Sequence, residues 1–421
     1  MKAKMKKILK ELAKKSELCR ALYRKAQFYN RKRMYRKFCR SEQTNDKMAV
    51  FEAFLGGSFA CNPKALYLAM QKDEKYKDFQ FVWAVNNVEK HAYLKKYKNT
   101  KVVKRISNAY HKSLSQAKYI IFNSGLPAYV KLRKDQIYIQ TWHGTPLKRL
   151  GCDIRVSGSA KFNLKEIHRQ YRTNGRKFTY LLSPSAFATE KLSSAFGLTK
   201  ERQEQILIEE GYPRNDALFQ YNTEQLQAFK NNLGLPADKK VILYAPTFRD
   251  NHYEFSVGFQ YKGRLDFDML REEIGGEAIV LFRAHCQIAD KFDFGNYNGF
   301  VYNVSKYEDI NELYAISDLL ITDYSSVLFD YGNLRKPMIF YMYDLEEYQT
   351  KVRDFYLDLE ELPGPIVRKE EELASEIRNQ LKNFKYDKKY RAFNQKFNNL
   401  DGNDCSERVL KRIMGSDGKP E

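Results

Sequence analysis

The chain has 421 residues, with 43% hydrophobic and 14% aromatic side chains and a formal net charge of +21. That composition supports packed domains and excludes a disordered polyelectrolyte, and the length is ample for two cores. No window holds the roughly 20 apolar residues that a membrane-spanning helix needs, and the first 20 residues lack the apolar centre of a secretory signal.

Residues 1–40 carry 16 Lys and Arg against Glu11 and Glu17, so +14 of the +21 lies there. Met5, Ile8, Leu9, Leu12, Ser16, Cys19, Tyr23 and Ala26 follow the three-and-four spacing of one helical face. The spacing predicts a basic amphipathic arm over 1–45, added to the fold and suited to an anionic membrane surface. Nucleic acid is the rival partner for such charge. It is disfavoured because no aromatic-studded basic sheet motif accompanies the arm.

A βα rhythm then begins. MAVFEAF (48–54) reads as a buried strand, followed by a Gly-Gly turn and a helix opened by Asn62-Pro63. Strands follow at 79–85, 119–122, 137–141 and 180–183, with helical stretches near 108–117 and 187–196. ILIEEGYPRND (206–216) reads as a strand running into a turn. After the Gly/Pro-rich break at 231–240, strands are expected at 241–247, 278–285, 299–304, 319–323 and 338–344. Alternation of this kind implies parallel sheets in two doubly wound α/β domains, spanning 46–230 and 231–385, that face each other across a cleft. The last segment, 386–421, reads as helices that pack back toward the first domain.

The chemistry-bearing residues fall just after strands, where doubly wound sheets bind ligands. His143 follows IYIQT, Thr247 and Arg249 follow VILYAP, and Arg283 and His285 end AIVLFRAH. Asp323, Ser325 and Ser326 follow LLIT and open a helix that also carries Asp330. Two hydroxyls at a helix start suit phosphate, and Arg283 and His285, two apart on a strand, converge on one anion. Taken singly, each has an ordinary explanation: a loop-anchoring His, a strand-end Arg paired to a carboxylate, a helix N-cap. The combination is harder to produce by chance.

Several chemistries are unsupported. There is no GxxxxGK(S/T) loop and no strand–GxGxxG–helix, so neither a P-loop nor a dinucleotide cofactor is implied. The six scattered cysteines offer no metal or disulfide framework. The single tight DxD, Asp266-Phe267-Asp268, reads as a helix start, so no metal is expected.

TWHGTPLK (141–148), YAPTFRD (244–250), FRAH (282–285), the run from Asp309 to Tyr348 containing LLITDYSS, and RDFYLDLEELPGPIV (353–367) together resemble the CDP-glycerol glycerophosphotransferases. The similarity spans roughly 48–395, in order. That family makes teichoic acids in Gram-positive bacteria, and the resemblance implies GT-B architecture, with an acceptor-side first half and a nucleotide-binding second half. It implies transfer of glycerol phosphate from CDP-glycerol to a hydroxyl of a lipid-linked acceptor, releasing CMP. Members work as peripheral proteins on the cytoplasmic face of the membrane. By the same resemblance His143 and His285 are the catalytic pair, with His143 as general base. Arg283, Thr247, Arg249, Thr322, Asp323, Ser325, Ser326, Gly144 and Lys148 are substrate-binding, and Asp330 is a weaker candidate for the same role. One departure is Ala284, where members often carry proline. The motifs leave CDP-ribitol, or a nucleotide sugar, open as donor, and leave homo-oligomerisation open.

Overall fold

The computed structural model describes all residues except 1–16, 156–162, 248–252, 255–257, 260–264, 285–293, 350–353 and 416–421. The described chain forms two compact units, one of residues 1–59 with 70–140 and one of 60–69 with 141–421.

The first unit carries strands β1 (Asn45–Glu52), β2 (Gln80–Val85), β3 (Thr100–Lys104), β4 (Ala117–Phe122) and β5 (Ile137–Gln140). They run parallel in the order β3-β2-β1-β4-β5. Buried apolar runs such as MAVF and FVWAV cover both faces of the sheet, as parallel strands require. Phe51 stacks on Trp83 at 5.5 Å, and Phe59 meets the same indole edge-on at 4.7 Å.

The helix Glu17–Ser41 belongs to this unit. Of the expected amphipathic arm, residues 1–16 lie outside the described residues. Along the rest, Cys19, Tyr23 and Phe28 are half-buried and Tyr35 is buried. Ala26 of the expected face is exposed, as are the large apolar residues Leu18, Leu22 and Tyr29, which lie off it. The second half of the helix is therefore no add-on. Tyr35 Oη donates to Lys131 O at 3.0 Å, and Arg133 reaches back to Cys39 O at 2.6 Å and to Glu42 O.

In the second unit, β6 (Tyr180–Ser183) pairs in parallel with β7 (Leu207–Glu209). β8 (Lys240–Ala245) leads through the short hairpin β9 (Tyr253–Glu254) and β10 (Gly258–Phe259) to β11 (Ala278–Phe282). β12 (Val301–Asn303), β13 (Leu319–Thr322), β14 (Met338–Tyr341) and β15 (Ile366–Val367) complete a sheet of order β12-β11-β8-β13-β14-β15, parallel throughout. Side-chain caps start two of its helices. Asp309 Oδ1 accepts from Asn311 N at 3.1 Å, and Asp266, in the expected helix-start role, accepts from Asp268 N and Met269 N.

The compact units divide at 140/141, whereas the sequence pattern breaks at 231–240. Residues 141–216 cluster with the later sheet because their polar groups bond to it and the C-terminal helices pack on them. Phe397, on the helix Lys388–Phe397, meets Phe187 edge-on at 4.9 Å. Asp216 accepts from Cys405 N and Ser406 N at the start of the last helix.

Candidate active site

A cavity of about 560 Å³ opens in the second unit, where the loops after β8, β11 and β13 meet the loop carrying His143. Each wall is built differently.

The His143 loop is held under tension. Trp142 adopts a left-handed backbone (φ 53°), a conformation that costs a bulky residue about 1–3 kcal/mol and persists only when its surroundings enforce it. The enforcement is visible. Asn62, fully buried, donates through Nδ2 to Thr141 O at 2.9 Å and Trp142 O at 3.3 Å. Arg214 Nη1 donates to His143 O at 2.7 Å. The indole lies 4.6 Å from the imidazole and meets Phe196 edge-on at 5.4 Å. Beyond His143, Gly144 lies against Ser326, and a Cβ there would stand 2.7 Å from Ser326 Oγ. Lys148 continues the wall, with Nζ 5.8 Å from the Tyr348 ring centre.

The other walls come from the sheet. Arg283, just past β11, lines the cavity while its Nη1 donates to Val304 O and Tyr307 O, each at 3.0 Å. Those two carbonyls fix the guanidinium at the edge of the cavity. Thr247 also lines the cavity, and its backbone N–H donates to Asp323 Oδ1 at 2.7 Å. Asp323, buried, accepts from Tyr324 N with the same oxygen, so it braces two loops. Ser325 and Ser326 line the cavity ahead of the helix Val327–Gly332. That helix has six residues, so the hydroxyls and loop N–H groups matter more for a phosphate than a summed dipole.

Charge sets what the cavity can hold. Among the described residues, its lining includes the cations Lys148 and Arg283 and the imidazole of His143, and no carboxylate. An anion such as a phosphate fits that lining.

Three expected substrate residues sit behind the wall: Asp323, spent on bracing the loops, Thr322 and Asp330. Thr322 Oγ1, fully buried, donates to Ala245 O at 2.8 Å, tying β13 to β8. Asp330 is buried and spends its carboxylate on Arg214, which donates to Oδ1 and Oδ2 at 2.7 Å each, and on Asn215 at 3.2 Å. Burial opposes the Arg214 charge, but the Asp330 carboxylate more than offsets it and holds the guanidinium above its ordinary range. His285 and Arg249 lie outside the described residues.

The sequence reading missed Arg214 and Asn62. Arg214 sat in GYPRND, read only as a turn, and its carboxylate partner is 116 positions away. Its one signal was a cation in the turn that follows β7.

Two α/β sheets of parallel strands, with an anion-fitting cavity at the carboxyl ends of the second, define a GT-B type transferase. Residues 33–415 match the family model for CDP-Glycerol:Poly(glycerophosphate) glycerophosphotransferase, and the chain belongs to that family. It is 39% identical over 371 residues to a teichoic acid poly(glycerol phosphate) polymerase of Bacillus subtilis (strain 168), covering 87% of this chain and 48% of that protein. It is 35% identical over 379 residues to a teichoic acid glycerol-phosphate transferase of Staphylococcus aureus (strain NCTC 8325 / PS 47), covering 89% of this chain and 94% of that one. The chain thus spans about half the length of the first relative and nearly all of the second. Among solved structures it resembles the wall teichoic acid polymerase TagF, with TM-score 0.78 and 36% identity over 87% of this chain and 88% of that one.

Proposed function

We propose that this chain transfers glycerol phosphate from CDP-glycerol to a hydroxyl of a lipid-linked, teichoic-acid-type acceptor and releases CMP. The observation that carries the reading is the cavity lining: Arg283, Lys148, Ser325, Ser326 and the His143 imidazole face one space with no carboxylate among the described residues. A pyrophosphate needs that charge, and an in-line displacement at phosphorus depends on positioning and charge stabilisation.

In the reaction the acceptor oxygen bonds to the phosphorus that bears glycerol. The bond to the bridging oxygen breaks, and the electron pair leaves with CMP. His143 takes the acceptor proton as general base. Arg283, Thr247, Ser325 and Ser326 hold phosphate oxygens, Lys148 and Gly144 border the donor, and Asp323 orients the loops. His285 and Arg249 serve the departing nucleotide. Residues 46–230 serve the acceptor, residues 231–385 the nucleotide, and 386–421 pack back on the first of these. Among the described residues no helix is long and apolar enough to cross a membrane. We assign the chain to the cytoplasmic face as a peripheral protein held through residues 1–40.

The test is CMP release from CDP-glycerol, with and without a lipid-linked acceptor, beside CDP-ribitol and a nucleotide sugar. Acceptor-dependent release from CDP-glycerol alone supports the reading. Release only from another donor reassigns the substrate.

A further inference from the structure

Three chain segments with no sequence proximity converge on one buried guanidinium. Arg214 donates to both oxygens of Asp330, on the helix that follows Ser325-Ser326, to His143 O at 2.7 Å, and toward Cys61 Sγ at 3.3 Å. Its own backbone is clamped as well: its N–H donates to Asn62 Oδ1 at 3.1 Å, and its carbonyl accepts from Asn311 Nδ2 at 2.5 Å. Cys61, whose Sγ it reaches, and Trp142, the residue before the carbonyl it holds, are left-handed non-glycine residues (φ 64° and 53°). Its bonds to Cys61 and to the His143 carbonyl therefore fall at or next to strained backbone.

We infer that Arg214 is a positioning residue that fixes the His143 loop against the Ser325-Ser326 loop through its paired bonds to Asp330 and its bond to the His143 carbonyl. This rests on the functional reading above, in which His143 takes a proton and the serines hold phosphate. An imidazole aimed by its own main-chain carbonyl shifts when that carbonyl is released. The second anchor is the Gly144–Ser326 contact, which places the two loops side by side. Asp330 then acts through Arg214 and touches no substrate. Five donors in a fixed planar fork make this possible, and a lysine keeps the charge but cannot hold Asp330 in two bonds and the carbonyl in a third.

The test uses the full chain with Arg214→Lys and, because removing one partner of a buried pair threatens folding, the neutral double replacement Arg214→Gln with Asp330→Asn. Three readouts are taken. Backbone amide exchange over 138–148 is expected to quicken about tenfold or more around Thr141–Gly144, since local protection tracks the bonds that hold a segment. The kcat for CMP release is expected to fall about 100-fold, the scale of a misplacement near 1 Å, with the donor KM changed less than about threefold. In a His143→Ala background, Arg214→Lys is expected to change the residual rate less than about threefold, because residues acting as a unit are not additive. Unchanged exchange overturns the inference. So does an equal fold-loss with and without His143, which a general structural role would give. If the parent chain releases no CMP from any donor, the functional reading fails, and the exchange comparison alone decides the positioning.

Discussion

Replacing Gly144 by alanine adds one methyl group at the closest approach of the two site loops. Its Cβ would stand 2.7 Å from Ser326 Oγ and 3.3 Å from Ser326 Cβ, where ordinary contact begins at 3.4 Å. Both clashes come from Ser326 and the worse one from its Oγ, so the hydroxyl must move aside or the loops must part by some tenths of an ångström. Overpacking of this size costs about 1–3 kcal/mol, and Gly144 is not in a left-handed conformation, so no backbone penalty adds to it. Stability should fall only modestly, by about 1–2 °C in Tm for each kcal/mol in a chain of this length. Activity should fall further, about 10- to 100-fold in kcat/KM, because His143 is the adjacent residue. Acceptor-dependent CMP release and thermal unfolding are measured on Gly144→Ala, Ser326→Ala and the double variant. The methyl group should cost less when Oγ is already gone. Wild-type turnover in Gly144→Ala, or the same penalty in both backgrounds, would refute the reasoning.

Three further outcomes are expected. Arg283→Ala should weaken CDP-glycerol binding about 10- to 100-fold by calorimetry, the worth of a charged hydrogen-bonding group of about 1.5–3 kcal/mol, and unchanged affinity would remove Arg283 from the donor site. His111 is buried with Nε2 2.9 Å from Tyr129 Oη, and burial, then the Arg31 charge, lowers its pKa to about 4. It folds neutral, so its contribution is complete above about pH 6.5 and is lost as pH falls toward 4. Denaturant titrations should therefore show the wild type losing about 2–3 kcal/mol more than His111→Gln between pH 7 and 4.5, and parallel losses would contradict this. Lys25, Arg33 and Arg36 lie exposed on the Glu17–Ser41 helix, which also exposes Leu18 and Leu22. Reversing all three charges to Glu should weaken sedimentation with anionic vesicles by at least about 100-fold, at about 1 kcal/mol per cation, and equal binding would move the membrane contact elsewhere.

Most of the fold was legible because a parallel strand buried on both faces is a continuous apolar run. YLLS and AIVLF announce themselves as β6 and as the whole of β11, and the carboxyl end of β11 locates the site. That is why Thr247, Arg283, Ser325, Ser326 and His143 could be singled out, and the structure brings these five to one cavity. β3 was illegible: in TKVVK only Val102 and Val103 are buried, since an edge strand needs little more. β15, with two residues, carries no pattern at all. Tyr35 and Arg133 were illegible for another reason, because a basic stretch reads as solvated until a partner folds onto it. Asp330 shows the limit at the site. A carboxylate near a phosphate motif suggests substrate, and only its pairing with Arg214, 116 positions away, turns it inward. The left-handed Trp142 has no sequence signature, since tryptophan is not a residue that favours that region.

The central claim is that His143 accepts the proton of an acceptor hydroxyl while CDP-glycerol is cleaved. The most direct measurement is CMP release from CDP-glycerol with a lipid-linked acceptor, for the wild type beside His143→Ala, with CDP-glycerol affinity measured on both. The account predicts release that requires the acceptor, falls at least about 10²-fold in the variant, and leaves donor affinity within about threefold. Equal loss of donor affinity and of turnover in His143→Ala, or release that ignores the acceptor, would contradict it.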